Sequence, residues 1–383
     1  MSPVNPFSSR VIVLPPGSRV LLGAVALLWA SCTSAPKAPV TPAGAASTGT
    51  PRLGEYAVGA DLSFLRQAEA RGAKFKDGGV EKPGLRIFRE HGYNWIRLRL
   101  FHTPIQLPNN LDYTLAEAKE AKALGYKFLL DFHYSDTWAD PGKQFIPKAW
   151  EGKSTAELVR AVFAYTRDTI AAFRTADAMP DMVQIGNEVS AGMLWPDGKL
   201  PEHWDNFVDL IKAAIRGVEA GSSPAARPRI MIHIDQGGSR ARTKAFFDRL
   251  NAAGVAYDVI GQSYYPWWQG SLLELRDNLE FMAETYDKDI ILVEVAYNWK
   301  PAEYRDQPAP FPETPEGQRE FLEEVNRLVL AAPHGRGRGV FWWEPAVTGR
   351  LNRRGMFDDD GGALPVITVF DKFTRGKTPA PQP

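Results

Sequence analysis

Eight short apolar runs alternate with amphipathic stretches along most of this chain, and no other feature constrains its fold as strongly. The apolar runs cover residues 56–62, 94–101, 127–133, 182–187, 229–235, 257–265, 290–295 and 339–343. The stretches between them place apolar residues three and four positions apart, as in helices with one buried face: 115–124, 155–173, 204–219, 272–285 and 316–330. Strands that alternate with helices predict a parallel sheet.

The number of strand–helix units decides between two kinds of parallel sheet. Eight units in one continuous stretch match a single (β/α)8 TIM barrel with enlarged βα loops, an α/β fold. A doubly wound sheet is the alternative, but it usually has fewer strands and often opens with a Gly-rich phosphate loop, which does not follow the first run. We therefore predict a catalytic (β/α)8 barrel over residues 55–375.

The N-terminal segment has the features of an export signal. Arg10 and Arg19 precede an apolar run over residues 20–30, which is too short to span a membrane comfortably. Cys32, the only cysteine, follows Trp29-Ala30-Ser31, a sequence similar to a bacterial lipobox whose cysteine becomes lipidated. Residues 1–32 are thus predicted to be a signal peptide of the lipoprotein type. An ordinary signal peptide cut nearby is the alternative, and both predict export.

Two further segments flank the predicted barrel. Residues 33–54 are rich in Pro, Ala and Thr without apolar periodicity, so they are predicted to form a disordered linker. Residues 376–383 are predicted to be a flexible tail. We expect a monomer, exported and anchored by Cys32 at the periplasm or cell surface, or otherwise secreted; membrane contact is expected only through this lipid.

Charge and aromatic content narrow the class of partner. Lys plus Arg and Asp plus Glu both total 45, so the chain lacks the positive field that a nucleic-acid-binding protein needs. Its 11 Trp and 12 Tyr exceed what core packing usually requires, and flat aromatic faces bind uncharged, ring-shaped ligands. We therefore expect a carbohydrate partner and no nucleic acid.

Polar residues close the predicted strands, at the end of a barrel where active sites lie. The alternation of side chains along a strand puts Arg97 and Arg99 on one face, and likewise His233 and Asp235. The strand ends are Ala60-Asp61-Leu62-Ser63, Arg97-Leu98-Arg99, Asp131-Phe132-His133, Gly186-Asn187-Glu188, His233-Ile234-Asp235, Ser263-Tyr264-Tyr265, Glu294-Val295-Ala296 and Trp342-Trp343-Glu344.

Glu188 and Glu294 each directly follow or end an apolar run, the fourth and the seventh. Cleavage of a glycosidic bond needs one carboxyl group to protonate the leaving oxygen and another to attack or stabilise the sugar. Two glutamates at the mouth of one barrel supply that pair, and a separation of about 5 to 5.5 Å would give retention. For either residue alone, a structural ion pair is the alternative.

Several motifs, taken together and in order, resemble those of glycoside hydrolase family 53, the endo-β-1,4-galactanases, within the clan of retaining barrel glycosidases. The resemblance runs from residue 59 to about 370. The motifs begin at Gly59 (GADLS), Asp131 (DFHYSDTWADP), Gly186 (GNE), Gly192 (GMLWP), Met231 (MIHID), Ser263 (SYYPWW), Glu294 (EVAY) and Gly339 (GVFWWEP).

This resemblance implies a role for each candidate site residue. Glu188 would be the general acid/base and Glu294 the nucleophile, with Asn187 bonded to the sugar 2-hydroxyl. Arginine near Glu294 would keep it ionised, Tyr265 would donate to it, and Trp343 would form the floor beneath the attacked galactose. The remaining residues are expected to line the site or contact the substrate: Asp61, Arg97, Arg99, His133, His233 and Asp235.

The substrate implied is β-1,4-galactan, the side chain of pectic type I arabinogalactan, and no cofactor is expected to be required. A structural calcium is possible in the family, but residues 358–362 (DDDGG) lack the ligand spacing of a calcium loop and are better interpreted as a turn. We predict no metal site. Two alternatives remain open: a related barrel glycosidase acting on another β-linked glycan, and a surface protein that binds galactan without cleaving it.

Overall fold

The predicted strands form one closed barrel. The computed structural model describes residues 54–373 except 224, 303 and 305–307, and the barrel has eight parallel strands. They are β1 (Ala57–Asp61), β2 (Trp95–Leu100), β3 (Lys127–Phe132), β4 (Met182–Ile185), β5 (Arg229–Ile234), β6 (Val259–Tyr264), β7 (Asp289–Val295) and β8 (Gly337–Trp342). Each strand pairs with its sequence neighbours and β8 closes on β1, so the predicted TIM barrel is confirmed.

Helices fill the connections between the strands. They are α1 (Leu65–Ala70), α2 (Gly84–Glu90), α3 (Leu111–Ala123), α4 (Thr155–Thr175), α5 (Trp204–Gly221), α6 (Arg240–Ala252), α7 (Leu272–Thr285) and α8 (Pro315–Ala331). Local sequence sets several starts: the Asn110 side chain accepts from the Tyr113 N–H before α3, and Ser271 and Glu274 form a capping box at α7. Two small hairpins, Lys76–Asp77 with Val80–Glu81 and Gly192–Met193 with Gly198–Lys199, decorate the loops.

The barrel interior is apolar towards the amino ends of the strands, here called its lower part, and polar towards their carboxyl ends. A separate buried cluster fills its lower part, with side chains from all eight strands: Ala57, Trp95, Leu129, Met182, Met231, Val259, Ile291, Val293 and Phe341. Towards the carboxyl ends of the strands, the buried side chains become charged or polar, beginning with Asp61, Arg97 and Asp131. The apolar layer therefore closes the bottom of the site and excludes water from below.

Some of the sequence-based predictions fall outside the described residues. These are the signal peptide, Cys32, nearly all of the linker and the C-terminal tail. Within the described ranges, no helix is both long enough and apolar enough to cross a membrane.

Gly59 provides a test of how tightly the barrel is packed. A Cβ atom at this position would lie 2.1 Å from the Cδ1 atom of the buried Phe341 ring, whereas at the exposed Gly54 it would meet nothing within 4 Å. We expect Gly59→Ala to lower the free energy of unfolding by about 1–3 kcal/mol, because the barrel must shift to admit the methyl group. Gly54→Ala should change it by less than about 0.5 kcal/mol. Equal urea midpoints for the two variants would contradict this packing.

Candidate active site

Glu188 and Glu294 line the same cavity, which has a volume of about 160 Å³ and opens at the carboxyl ends of the strands. Trp343, Trp138 and Tyr265 form its aromatic sides. The structure thus brings together the two carboxyl groups that sequence spacing alone could not relate. An open pocket that combines aromatic and apolar surfaces with a few polar groups is the usual form of a small-ligand site.

Glu188 reaches the cavity through a turn that follows β4. Gly186 adopts a φ of 72°, and Glu188 itself has a φ of 46° and a ψ of 53°, in the left-handed region. Non-glycine residues adopt this region at a cost of about 1–3 kcal/mol, and such residues concentrate at functional sites. The turn lifts the Glu188 carboxyl above the strand end instead of leaving it on a face of the sheet.

Glu294 faces the cavity because the register of β7 shifts. Ile291 and Val293 point into the barrel, so strict alternation would turn Glu294 outward with Leu292. The pairing with β6 passes from Gln262 opposite Leu292 to Ser263 opposite Glu294, and the pairing with β8 is also shifted beyond Leu292. This bulge re-aims the carboxyl group, which is a known use of bulges beside active sites.

A buried arginine holds Glu294. Arg97 Nη1 lies 2.7 Å from Glu294 Oε1 and 2.9 Å from Asp61 Oδ2, and its Nη2 lies 2.9 Å from Asp131 Oδ2. The Tyr265 hydroxyl donates to Glu294 Oε2 at 2.8 Å. Both oxygens of Glu294 are therefore fixed by donors, one of them a cation, which favours the ionised form and fixes its direction.

Glu188 has a different environment. Its Oε1 atom lies 2.6 Å from the Ser263 hydroxyl, and Ser263 Oγ lies 2.9 Å from His233 Nε2. His233 Nδ1 is 3.1 Å from Asn187 Oδ1, and Asn187 Oδ1 also accepts from Arg97 Nη2 at 2.8 Å. A chain of hydrogen-bonding groups therefore links the carboxyl of Glu188 to the arginine that holds Glu294.

The hydroxyl of Ser263 can hydrogen-bond Glu188 in both protonation states, as a donor to the carboxylate or as an acceptor from the protonated acid. Burial and the charge of Arg97 lower the pKa of His233 well below its usual value, so its ring is neutral and carries one proton. With that proton on Nε2, Ser263 accepts from His233 and donates to a Glu188 carboxylate. With it on Nδ1, His233 donates to Asn187, and Ser263 accepts from protonated Glu188. The side-chain distances allow both arrangements, but the backbone N–H of Glu188 donates to His233 Nδ1 at 3.4 Å, which favours the first.

The two glutamates differ in pKa. Burial raises the pKa of Glu188 well above its ordinary range, and the nearby Glu294 and Asp235 carboxylates raise it further. Burial also raises the pKa of Glu294, but Arg97 and the Tyr265 hydrogen bond oppose that rise. The first proton bound by the pair therefore resides on Glu188. Arg97 is thus the arginine that was expected beside Glu294, and burial opposes its effect on the pKa of Glu294.

A second buried arginine supports the opposite side of the cavity. Arg99 Nη2 lies 2.5 Å from Glu344 Oε1 and 3.2 Å from Asp61 Oδ2. The Cζ atom of Arg99 lies over the Trp138 ring, 4.3 Å from its centre. Burial raises the pKa of Glu344 to about 8, with Arg99 acting in the other direction. Arg99 thereby fixes Trp138, which lines the cavity.

The residues predicted as substrate contacts fall into three groups according to the cavity that they line. Five of those proposed as substrate contacts line the catalytic cavity: Arg99, His133, Asn187, Tyr265 and Trp343. Asp235 lines the adjoining cavity, also beside Glu188. Asp61, Arg97 and His233 are in the lining of neither cavity and are bonded to other side chains of the site. Arg97 lies beside Glu294, where it was expected. Asp61 and His233 are buried against Arg97 and Ser263, and their contact with the substrate stays a prediction.

Other residues of the site were not singled out from the sequence. Gln184 joins Arg97, Asp131 and Asn187, at 3.2, 2.6 and 3.1 Å, and Ser263 contacts Glu188. Asp131, Gln184 and Ser263 lie at or near strand ends, so the alternation of side chains could have found them. Trp138 and Arg354 also line the cavity, but both come from long loops whose paths the sequence does not reveal.

The residues described here include no group of three or more His, Cys, Asp or Glu side chains arranged to hold a metal ion. In the 358–362 segment, Asp358 Oδ1 accepts from the backbone N–H groups of Asp360 and Gly362 at 2.9 and 2.7 Å. The side chain therefore closes a turn, as the sequence predicted.

Comparison with known proteins agrees with the geometry. The model of glycosyl hydrolase family 53 matches residues 57–375, which is the whole barrel. The chain belongs to glycosyl hydrolase family 53. The resemblance drawn from the motifs is thus confirmed.

Three similar proteins illustrate the family membership. An uncharacterised protein of Niallia circulans is 42% identical over 76% of this chain and 84% of its own. An arabinogalactan endo-β-1,4-galactanase of Cellvibrio japonicus is 36% identical over 79% of this chain and 83% of its own. A solved structure of a fungal β-1,4-galactanase has a TM-score of 0.78 and 34% identity, covering 82% of this chain and 99% of its own.

Removal of the Tyr265 hydroxyl tests the environment of Glu294. Tyr265→Phe deletes a hydrogen bond that favours the carboxylate, so the pKa of Glu294 should rise. The acid limb of the kcat/KM profile should therefore move to higher pH. Titration of kcat/KM against pH measures the shift, and an unmoved acid limb would contradict the assigned contact.

Ser263→Ala tests the environment of Glu188 in the same way. The Ser263 hydrogen bond lowers the pKa of Glu188, so its loss should raise that pKa and move the alkaline limb to higher pH. The two limbs report apparent pKa values that belong to the pair of glutamates. The shifts of both limbs are therefore compared between the Tyr265→Phe and Ser263→Ala variants. If Ser263→Ala moved only the acid limb, the two environments would be wrongly assigned.

Proposed function

We propose that this chain is an endo-β-1,4-galactanase that hydrolyses the β-1,4-galactan of type I arabinogalactan with retention of configuration. In this proposal Glu188 is the general acid/base and Glu294 the nucleophile. The observation that carries it is the unequal environment of two carboxyl groups in one cavity. Glu294 has an arginine and a phenol on its oxygens, whereas Glu188 has a hydroxyl group and two neighbouring anions that raise its pKa.

In the first half-reaction, Glu294 attacks the anomeric carbon while Glu188 gives its proton to the glycosidic oxygen. The bond from the anomeric carbon to that oxygen breaks, an ester to Glu294 forms, and the shortened chain leaves. Loss of the negative charge on Glu294 is matched by loss of the proton from Glu188, so the net charge of the pair is unchanged. Asn187, held by Arg97, His233 and Gln184, is positioned to bond the sugar 2-hydroxyl.

In the second half-reaction, ionised Glu188 takes a proton from water, and the resulting hydroxide attacks the anomeric carbon. The ester breaks and Glu294 becomes a carboxylate again, stabilised by Arg97. Ser263 serves both halves, because its hydroxyl accepts from the protonated Glu188 and donates to the ionised one. Two inversions at the same carbon give net retention.

The choice of substrate rests on two supports. The curated relative from Cellvibrio japonicus and the fungal structure are described as β-1,4-galactanases. The cavity also suits an uncharged sugar ring, with Trp343 and Trp138 on its sides and the side-chain amide of Asn187 in its lining. A related glycosidase acting on mannan or cellulose remains the second candidate.

A substrate panel with product analysis tests the reaction. Purified galactan, mannan and cellulose are digested side by side, and early products are followed by NMR for anomeric configuration. We expect oligosaccharides from galactan, first released as the β-anomer. Cleavage of another glycan in preference to galactan would transfer the assignment to the second candidate, and an α-anomer would overturn retention.

Glu188→Gln separates an enzyme from a protein that only binds galactan. Loss of the proton donor should reduce kcat/KM on galactan about 10²–10⁴-fold. An aryl galactoside with an acidic leaving group should be affected much less in its first step, because that group leaves without a proton. Glu280→Gln, on the exposed face of α7, is the matched control and should retain full activity. A wild-type protein without activity, or unchanged activity in Glu188→Gln, would contradict the proposed mechanism.

The proposed mechanism uses only side chains and water, so we also propose that no cofactor is required. Activity after exhaustive dialysis against EDTA should equal that of the untreated enzyme, and thermal unfolding measured in parallel reports any structural metal. A loss of activity that calcium restores would show a metal requirement.

We further propose that the mature protein is a monomer, exported and anchored by a lipid on Cys32, with residues 33–54 as the linker. The apolar run over residues 20–30 and the position of Cys32 support the anchor. Cys32→Ala should move the protein from the detergent phase to the aqueous phase on Triton X-114 partition. Partition of the wild type into the aqueous phase would favour an ordinary signal peptide.

A further inference from the structure

A continuous trough leads away from the catalytic cavity on the side of Glu188. Glu188, Asp140 and Trp268 line both the catalytic cavity and a larger one of about 600 Å³, here called the inner cavity. Next to it lies a cavity of about 560 Å³, here called the outer cavity, bounded by α5, α6 and the loop before α5. Both have Pro141, Asp235, Gln236 and Arg242 in their lining, so one opens into the other.

The chemistry of Glu188 fixes which part of the substrate enters this trough. A general acid must contact the leaving oxygen, so the chain beyond that oxygen lies on the side where the Glu188 carboxyl opens to the surface. The inner and outer cavities therefore receive the leaving-group portion of the glycan. This step depends on the proposed function.

The acidic groups of the inner cavity already have partners. Asp140 forms an ion pair with Lys143 at 2.6 Å, and Glu274 caps helix α7 through Ser271. The Oδ1 atom of Asp235 accepts from Ser190 and from the Gln236 amide. The inner cavity is lined by four carboxyl groups, those of Asp140, Glu188, Asp235 and Glu274, and by one arginine, Arg242. A further negative charge is therefore unfavourable there, so the sugar next to the cleaved bond is a neutral one.

The outer cavity has the opposite character. Arg242 and Arg249, about two turns apart on α6, both line it and are exposed, and Asp235 is its one carboxylate. Among the described residues, no hydrogen bond or ion pair engages either guanidinium group. The Cζ atom of Arg249 lies over the Trp204 ring, 4.5 Å from its centre.

Two exposed guanidinium groups above an apolar floor form a site for a planar anion. Leu200, Trp204 and Phe246 supply that floor. Arginine binds carboxylates through paired, nearly parallel hydrogen bonds, and stacking on an aromatic ring fixes one guanidinium in advance. A sugar acid offers both an apolar ring face and a carboxylate, so its shape and charge complement this cavity.

We propose that the outer cavity binds the carboxylate of a uronic acid residue on the leaving-group side of the cleaved bond. The enzyme would then cleave galactan close to its attachment to an acidic pectic chain, with neutral galactose in the inner cavity and a uronate in the outer one. Arg242 and Arg249 determine specificity in this assignment and take no part in bond cleavage.

The test compares two substrates in the same assay. One is linear, neutral β-1,4-galactan, and the other is galactan of similar length still attached to a uronate-containing pectic chain. For the wild type at low salt, kcat/KM should be higher for the attached substrate than for the neutral one. Each guanidinium group should contribute a factor of about two to five to this ratio. The ratio should fall towards one in Arg242→Gln, Arg249→Gln and 1 M NaCl, where charges are screened beyond about 3 Å.

Two controls make the result specific. Arg276→Gln removes an exposed arginine of α7 that lines neither cavity, and it should leave the ratio as in the wild type. Reduction of the uronate carboxyls to alcohols in the attached substrate should abolish the preference without any mutation. The uronate site would be overturned if the wild-type ratio were one. It would also be overturned if both arginine variants kept the wild-type ratio. Failure to cleave neutral galactan at all would instead refute the proposed function.

Discussion

The site depends on the pairing of one buried cation, Arg97. Its guanidinium is 1% exposed and lies within 2.9 Å of carboxylate oxygens from Asp61, Asp131 and Glu294. A buried charge is tolerated only when it is paired and hydrogen-bonded. Exclusion of water by the barrel therefore requires these four side chains to stay together. Strands β1, β2, β3 and β7 each supply one member, and the apolar layer below isolates the group from solvent. Removal of one partner would leave an uncompensated buried charge.

That pairing also makes the two glutamates unequal. Arg97 and Tyr265 are bonded to Glu294, whereas the nearest charges to Glu188 are those of Glu294 and Asp235. Burial alone would raise both pKa values together, and the asymmetric placement of Arg97, Tyr265 and Asp235 separates them. The proposed division into proton donor and nucleophile rests on these different surroundings, since the two side chains are chemically identical.

Backbone geometry directs the glutamates, and it departs from regular structure at both. Glu188 occupies a left-handed conformation after β4, and Glu294 sits at a register shift of β7. Regular alternation would have sent Glu294 outward. The apolar residues of both strands hold the barrel rigid enough to maintain these irregular positions, so the stability of the lower layer and the geometry of the upper layer are linked.

The sequence by itself determined the eight strands, the barrel, the strand ends that carry the chemistry, and the two glutamates. Apolar periodicity specifies these local features, since each depends only on which residues neighbour one another along the chain. It could not identify Trp138 or Arg354 as members of the site, or find which partners Asp61, Arg97 and His233 have there. Those facts depend on register, on a bulge and on loop paths. Only the closed barrel decided them, because burial and charge pairing arise between strands that the chain order keeps far apart.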